Sequence, residues 1–237
     1  MMLSLHNLSL VALVIVASAM IPFSGSVAAD ALDNLKAERL EAVRQSVAAF
    51  RAQRTEVARI GLFQEHRANL HVHSHWSHDR VGTVEEIVAA ARAAGTSVLM
   101  FSEHPADHYD FYVDGNQGLK DLSEQSVREC LDAGRAFVAF DWIADSTGFD
   151  FAANVETVRH EMGSQVTLSP KLALKAVSPL PVHWRLIRNG EVVLETDGST
   201  LNSAVTDPGV YRCEAWLDVA GVRMIWILSN PIYVAGA

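Results

Sequence analysis

The sequence predicts an α/β fold that is preceded by an amphipathic helix and followed by a small antiparallel β-sandwich. Three observations lead to this prediction. Residues 30–60 carry apolar side chains at helical spacing and contain no glycine or proline. Residues 68–101 follow the order strand, helix, strand. From about residue 170 onward, short strand patterns alternate with turns rich in glycine and asparagine or aspartate.

Composition narrows the class of protein. The chain has 237 residues, of which 49% are hydrophobic and 20% charged, which is typical of a globular protein with a sizeable core. The net charge of −9 argues against a nucleic-acid partner, because such proteins usually present a basic face. Two cysteines, Cys130 and Cys213, are too few for a disulfide scaffold or an all-thiolate zinc site.

The N-terminus has the pattern of a secretory signal peptide. Residues 8–21 form a mostly apolar run that is short for a membrane span, and small residues follow up to Ala29. We therefore assign residues 1–29 to a signal peptide and expect a periplasmic or secreted protein that leaves the membrane after cleavage. The start lacks lysine and arginine, so an uncleaved anchor is the alternative.

Residues 30–61 form the amphipathic helix, and the α/β pattern follows it. Residues 68–73 alternate like a strand, with His71 and His73 on the same face. Thr83 and Glu86 make a capping box that begins a helix, and Gly95 can end it. Residues 97–101 are a continuous apolar run, which suits a strand that is buried on both faces. This βαβ unit predicts parallel strands with chemistry at their carboxyl ends.

Histidines concentrate at those strand ends. Six of the ten lie within one short segment: His71, His73, His75, His78, His104 and His108. The first two direct their imidazoles to the same side of a strand, Asp79 follows in a loop, and His104 arrives at the end of the next strand. Imidazole and carboxylate ligands together suit zinc, manganese or iron rather than calcium. The sequence thus predicts a metal site.

Three further histidines near these positions have alternative roles. His78 is an alternative to Asp79 as a ligand, since the two are neighbours in one loop. His75 and His108 are either substrate contacts or exposed loop residues. No general acid or other catalytic group is identified by the pattern.

Residues 69–79 (NLHVHSHWSHD), 82–86 (GTVEE) and 102–104 (SEH) resemble the opening of a PHP domain, the polymerase and histidinol phosphatase family of metal-dependent hydrolases. The resemblance implies that His71, His73, Asp79 and His104 ligate metal. It also implies a phosphoesterase acting on a small phosphorylated substrate. Asn69 stands where many members of that family carry aspartate.

The rest of the chain departs from that family. PHP domains are distorted (β/α)₇ barrels with later Glu, His and Asp-x-His ligands, whereas only His160 and His183 follow His108 here. Residues 62–150 are also too few for seven strand–helix units. Residues 122–140, a helix ended by Gly134 and an apolar strand, resemble the end of such a barrel. We therefore expect a partial PHP-type (β/α) barrel at 62–165, with an internal deletion near Asp121.

Two functions remain open at this stage. One is an exported PHP-type phosphoesterase that uses divalent metal and is impaired by the deletion. The other is a non-catalytic exported protein derived from such an enzyme, which binds metal or serves as an interaction surface. The missing later ligands favour loss of activity.

Residues 166–237 are assigned to the β-sandwich. Turns are predicted at Asn189-Gly190, Asp197-Gly198 and residues 207–209. Residues 207–213 resemble the Asp-x-Gly-x-Tyr-x-Cys of immunoglobulin-like domains, which implies a tyrosine corner at Tyr211.

Tryptophan and cysteine positions complete this module. Trp184 is predicted in the core, and Trp216 and Trp226 more as core residues than as ligand contacts. Cys213 is predicted as a buried free thiol, with a disulfide to Cys130 as the alternative.

Overall fold

A computed structural model describes residues 33–78, 80–104, 110–113 and 122–236, with backbone alone for 110–113. Four sequence predictions lie outside these residues: the signal peptide at 1–29, the ligand Asp79, His108 and the junction near Asp121. Within the described part of the chain, no helix is long and apolar enough to cross a membrane.

Helices are few and strands are many among the described residues. The helices are α1 (Ala37–Gln53), α2 (Val84–Ala93) and α3 (Glu124–Asp132). The strands are β1 (Ala68–Val72), β2 (Val98–Phe101), β3 (Asp110–Val113), β4 (Phe137–Ala139), β5 (Asp150–Val155), β6 (Val158–Glu161), β7 (Gln165–Thr167), β8 (Leu172–Arg188), β9 (Glu191–Ala204), β10 (Gly209–Val219), β11 (Val222–Ser229) and β12 (Ile232–Ala235).

The small sheet contains β1, β2 and β3 in that order. β1 and β2 pair in parallel and are connected by α2, and β3 pairs antiparallel with β2. The predicted βαβ unit is therefore confirmed. Its capping box is present as well, because the Thr83 side chain accepts from the Glu86 amide and the Glu86 side chain accepts from the Thr83 amide. Gly95, with φ of 70°, directly follows the C-cap of α2.

The large sheet contains the other nine strands and curls into an antiparallel half-barrel. Its main path runs β4-β11-β10-β8-β5-β6. β9 pairs with β8, while β12 pairs with β10 and, in parallel, with β7. Three pairings in this sheet join consecutive strands as hairpins, and the described part of the chain is mostly β.

The predicted partial PHP-type (β/α) barrel followed by a separate β-sandwich is wrong. A parallel barrel needs a crossover between successive strands, usually a helix, whereas β5–β6, β8–β9 and β10–β11 are hairpins without one. The apolar run at 136–140 is not the last strand of a barrel. It forms β4, at one end of the large sheet, where Val138 pairs with Leu228 of β11.

The main core lies on the large sheet and confirms the predicted positions of two tryptophans. Trp184 and Trp226 are 0% and 1% exposed. Trp216 is only half-buried, and the Arg185 guanidinium lies 4.6 Å from its ring centroid. Cys213 is buried and free, as predicted, and burial raises the pKa of its thiol to about 12.

Turn predictions succeed at two positions and fail at a third. Asn189 and Gly190 both have positive φ and connect β8 to β9. Asp207 and Pro208 lie in the connection between β9 and β10, as predicted. Tyr211 donates its hydroxyl to the Asp207 carbonyl at 2.8 Å, which is the predicted tyrosine corner. Asp197-Gly198 is not a turn, because β9 continues through both residues and Gly198 pairs with Val182.

The predicted helix at 30–61 is shorter in the structure, since α1 ends at Gln53. Val43 and Phe50 of α1 pack against the main core. The Ala220 amide donates to Ser46 Oγ at 2.9 Å, which attaches α1 to the turn between β10 and β11. Beyond α1, the chain runs without regular structure to β1.

Candidate functional site

Four imidazoles lie together at the carboxyl ends of the two parallel strands. We define the histidine cluster as His71 on β1, His73 and His78 just after it, and His104 after β2. The ring centroid of His73 lies 4.6 Å from that of His71 and 4.4 Å from that of His104. The His78 and His104 centroids are 5.6 Å apart. The structure thus brings together three of the four predicted ligands and the alternative ligand His78.

A compact turn after β1 carries much of this cluster. The Ser77 amide donates to the Ser74 carbonyl at 2.9 Å, and the His75 amide donates to the Gly82 carbonyl at 2.7 Å. Ser74 and Ser77 are 0% and 1% exposed. Small buried serines therefore anchor a loop whose histidine side chains extend from it.

Glu103 connects this turn to the end of β2. Its Oε1 accepts from the Ser74 amide at 2.8 Å, and its Oε2 accepts from Ser77 Oγ at 2.5 Å. Burial alone would raise the pKa of the Glu103 carboxyl, but the hydrogen bonds from the two serines hold it below its usual value. The next residue, His104, donates its amide to Ser77 Oγ at 2.9 Å.

Ser102 orients the first histidine. Its amide donates to the Val72 carbonyl at 2.8 Å, which continues the parallel pairing beyond β2. Its Oγ lies 2.9 Å from His71 Nδ1. A partner on Nδ1 fixes the plane of an imidazole and directs Nε2 outward, as in histidines that ligate metals.

The site is partly open to water. Both ring nitrogens of His73 are shielded from solvent, whereas His71, His78 and His104 are exposed. Trp76 is exposed as well, and its ring lies 4.9 Å from that of His75. Three of the four imidazoles of the cluster are therefore accessible to a ligand.

The imidazoles of the cluster are suitable ligands for a transition-metal ion, but their side chains are not oriented to bind one in this structure. Among the described residues, no three histidine, cysteine, aspartate or glutamate side chains form a ready metal-binding group. His71, His73 and His104 meet edge to face, at interplanar angles of 66° and 77°. Rotation about their side-chain torsions is needed to direct three nitrogens at one point. Asp79, the predicted fourth ligand, lies outside the described residues.

The two later histidines belong to the large sheet. His160 lies on β6, and His183 lies on β8, where its Nδ1 is 2.9 Å from Asp197 Oδ1. Sequence reasoning missed Ser74, Ser77 and Glu103. A signal for them was present in the sequence, because each of these polar residues is adjacent to a histidine at one of the two strand ends.

No family model, curated protein or solved structure matches this chain. The resemblance of residues 69–104 to the PHP motifs therefore stays a prediction. The function has to be argued from the histidine cluster and its surroundings.

Proposed function

We propose that this chain is an exported protein that binds zinc, manganese or iron at the histidine cluster and hydrolyses phosphate esters at an impaired rate. The observation that supports this most is the meeting of His71, His73 and His104 from two parallel strand ends. Bringing several imidazoles together, partly away from water, is costly unless they share a ligand. Asp79 is the fourth ligand of this proposal.

The surroundings of the cluster support metal binding over a purely structural role. Ser102 holds His71 through Nδ1, which leaves Nε2 as the ligand atom. His78 lies close to His104 and can replace or assist Asp79. Neutral imidazole nitrogens with one carboxylate are a donor set for zinc, manganese and iron.

Phosphate-ester hydrolysis is the reaction that the PHP resemblance implies. A divalent ion at this position would supply a water of lowered pKa and would stabilise charge on phosphoryl oxygens. His75 and His78 are both exposed, and an exposed imidazole can hydrogen-bond to a phosphate oxygen. The substrate class is a small phosphorylated molecule.

The fold supports impairment of that reaction. Multi-metal phosphoesterases fix neighbouring ions with ligands from many strand ends, but among the described residues only β1 and β2 pair in parallel next to the cluster. Misplacing a catalytic group by an ångström can cost about a hundredfold in rate. The same observation favours the second candidate function, a non-catalytic metal-binding protein.

Metal content is the first test. The purified protein is expected to retain zinc, manganese or iron, measured by elemental mass spectrometry, and H71A/H73A is expected to lose most of it. Removing two ligands typically collapses such a site. The matched control is H160A/H183A, which removes two histidines from the large sheet. Unchanged metal content in H71A/H73A would contradict the proposed site.

Turnover of a generic phosphate monoester, with added manganese or zinc, separates the two functions. We expect slow turnover that disappears with a chelator and in H104A, because His104 brings the second strand to the site. H160A is expected to behave as the unaltered protein. Bound metal without turnover would support the non-catalytic function. Fast turnover that survives the chelator would mean that the active site lies elsewhere.

A further inference from the structure

We propose that Glu103 is the positioning residue of the histidine cluster, and that it sets where His73 stands through the Ser74 amide and where His104 stands through the Ser77 hydroxyl. This inference rests on the proposed metal-binding function. Glu103 is flanked by Ser102 and His104, yet its carboxylate turns back to the loop after β1.

The hydrogen bonds form a closed bracket between the two strand ends. Glu103 Oε1 holds the amide of Ser74, the residue directly after His73. Glu103 Oε2 accepts from Ser77 Oγ at 2.5 Å, and the same Oγ accepts from the His104 amide at 2.9 Å. The backbones that carry two candidate ligands are therefore held by one carboxylate and one hydroxyl.

The chemistry of this bracket requires an ionised carboxylate. A carboxylate only accepts hydrogen bonds, and here each oxygen faces a donor, an amide and a hydroxyl. Charge-assisted bonds of this kind are shorter and stronger than neutral ones. Both serines are buried, so water cannot easily take the place of the carboxylate. Glu103 thus serves the site as an orienting group, with its oxygens engaged in the bracket.

A glutamine at this position would weaken the bracket without removing volume. The amide nitrogen would present a donor to either the Ser74 amide or the Ser77 hydroxyl, and the charge would be lost. Mutation of a residue that orients a metal ligand typically lowers metal affinity 10- to 100-fold. We expect Glu103→Gln and Ser77→Ala each to weaken cobalt binding about tenfold.

The experiment measures Co²⁺ binding to the full chain by titration and by its visible absorption bands. If Glu103 acts through Ser77, the double variant Glu103→Gln/Ser77→Ala should bind Co²⁺ no more weakly than the weaker-binding of the two single variants. The effects of substitutions at two interacting residues do not simply add. Both single variants should also change the intensity of the absorption bands, which report coordination geometry. A loss confined to overall stability would leave those bands unchanged.

Glu86→Gln is the matched control. Glu86 also accepts from a backbone amide, that of Thr83 at 2.9 Å, but it serves the cap of α2. It is expected to bind Co²⁺ as the unaltered protein does. If Glu103→Gln fails to fold, the smaller change Ser77→Ala decides the question.

The outcomes separate this inference from the proposed function. Cobalt binding that is equal in the unaltered protein and in the bracket variants would overturn the positioning role while leaving metal binding intact. Additive losses in the double variant would overturn the relay through Ser77. Absence of Co²⁺ and Zn²⁺ binding by the unaltered protein would overturn both proposals together.

Discussion

The small sheet and the large sheet are stabilised in different ways. Among the residues whose side chains the structure describes, the large sheet carries a cluster of twenty-four buried residues, and the cluster on the small sheet contains Val88, Leu99 and Phe101. Buried serines occur in both regions: Ser74, Ser77, Ser97 and Ser102 lie around the small sheet, and Ser146, Ser178 and Ser229 lie in the region of the large sheet. Relative to the apolar residues described in each region, buried serines are therefore more frequent around the small sheet, where Ser74, Ser77 and Ser102 take part in hydrogen bonds.

This difference explains where the candidate site lies. Apolar packing contributes stability without specifying polar geometry, while hydrogen bonds fix orientation at modest net stability. A site that needs several imidazoles at set angles benefits from the second kind of support. The large sheet then supplies the stability that the small sheet lacks.

Arg67 joins the two regions. Its guanidinium contacts Asp141 and Asp145 of the loop before β5, each at 2.8 Å. Its carbonyl accepts from the Ser97 amide at 2.9 Å, directly before β2. One residue therefore connects the small sheet to the edge of the main core.

The largest expected effect on the free energy of unfolding is that of a leucine-to-alanine substitution, which can be made in the core of each sheet. Leu174, 0% exposed, lies in the core of the large sheet, and Leu99, 3% exposed, lies in the small one. We expect Leu174→Ala to lower the free energy of unfolding by about 3–5 kcal/mol and Leu99→Ala by about 2 kcal/mol, because a less enclosed site relaxes more. Urea denaturation measures both losses.

Near-UV circular dichroism adds a regional measurement, since Trp184 and Trp226 are both buried in the large sheet. Leu99→Ala should keep that signal while amide exchange in β2 accelerates. Loss of the tryptophan signal in Leu99→Ala would show that the two sheets unfold as one cooperative unit.

A glycine pair tests how α3 attaches to the large sheet. Gly163 has φ of 83°, and a Cβ there would lie 1.8 Å from the Ala133 carbonyl oxygen at the end of α3. Gly163→Ala should cost about 3 kcal/mol or more, from backbone strain and overpacking together. Gly221, with φ of 78° and open space around it, should cost only about 1–2 kcal/mol as alanine. If thermal denaturation showed the same loss of stability for Gly163→Ala and Gly221→Ala, the close contact between the end of α3 and the β6–β7 turn would be contradicted.

The smallest effect concerns pH at the junction between the sheets. Burial raises the pKa of the Glu65 carboxyl, with Asp141 and Asp145 adding to the rise, although the Gly148 amide donates to it and lowers it in part. A raised folded-state pKa means that the protonated form is favoured in the folded protein. The contribution of Glu65 is therefore fully present below its unfolded pKa and is lost as pH rises through the folded value.

Glu65→Gln should accordingly become more stable relative to the unaltered protein as pH rises from about 4 to about 7. The gain should be under about 1 kcal/mol, because the side chain is partly exposed. Urea midpoints across this range measure it, and Glu56→Gln, an exposed carboxylate in the same segment, serves as the control. A relative loss with rising pH would reverse the assigned direction.

Local signals were sufficient for the small sheet. The capping box at Thr83 and Glu86 and the apolar strand at 97–101 depend on neighbours within a few residues, so the βαβ unit and the convergence of its histidines were predictable. The bracket at Glu103 was not, because it depends on how two loops meet after the strands have paired.

The large sheet shows why the fold class was mispredicted. Pro179 and Pro181 cannot donate to a strand ladder, yet β8 passes through them, with a register shift between Val177 and Val182. A bulge tolerates the missing proline amides. Gly198 faces this bulge and its carbonyl accepts from Trp184 Nε1, so a residue that signals a turn lies inside β9. Strands β5 and β7 pair with β8 and β12, which come later in the chain, and local patterns do not reveal those pairings.

The pairing of β12 has a consequence for the order in which the protein assembles during translation. β12 lies between β10 and β7, and β4 pairs with β11. The small sheet leaves the ribosome whole before any of those late strands has been made. Pairings between distant segments are slow to form and leave strand edges uncovered meanwhile. The histidines are therefore synthesised before the late strands of the scaffold that stabilises them.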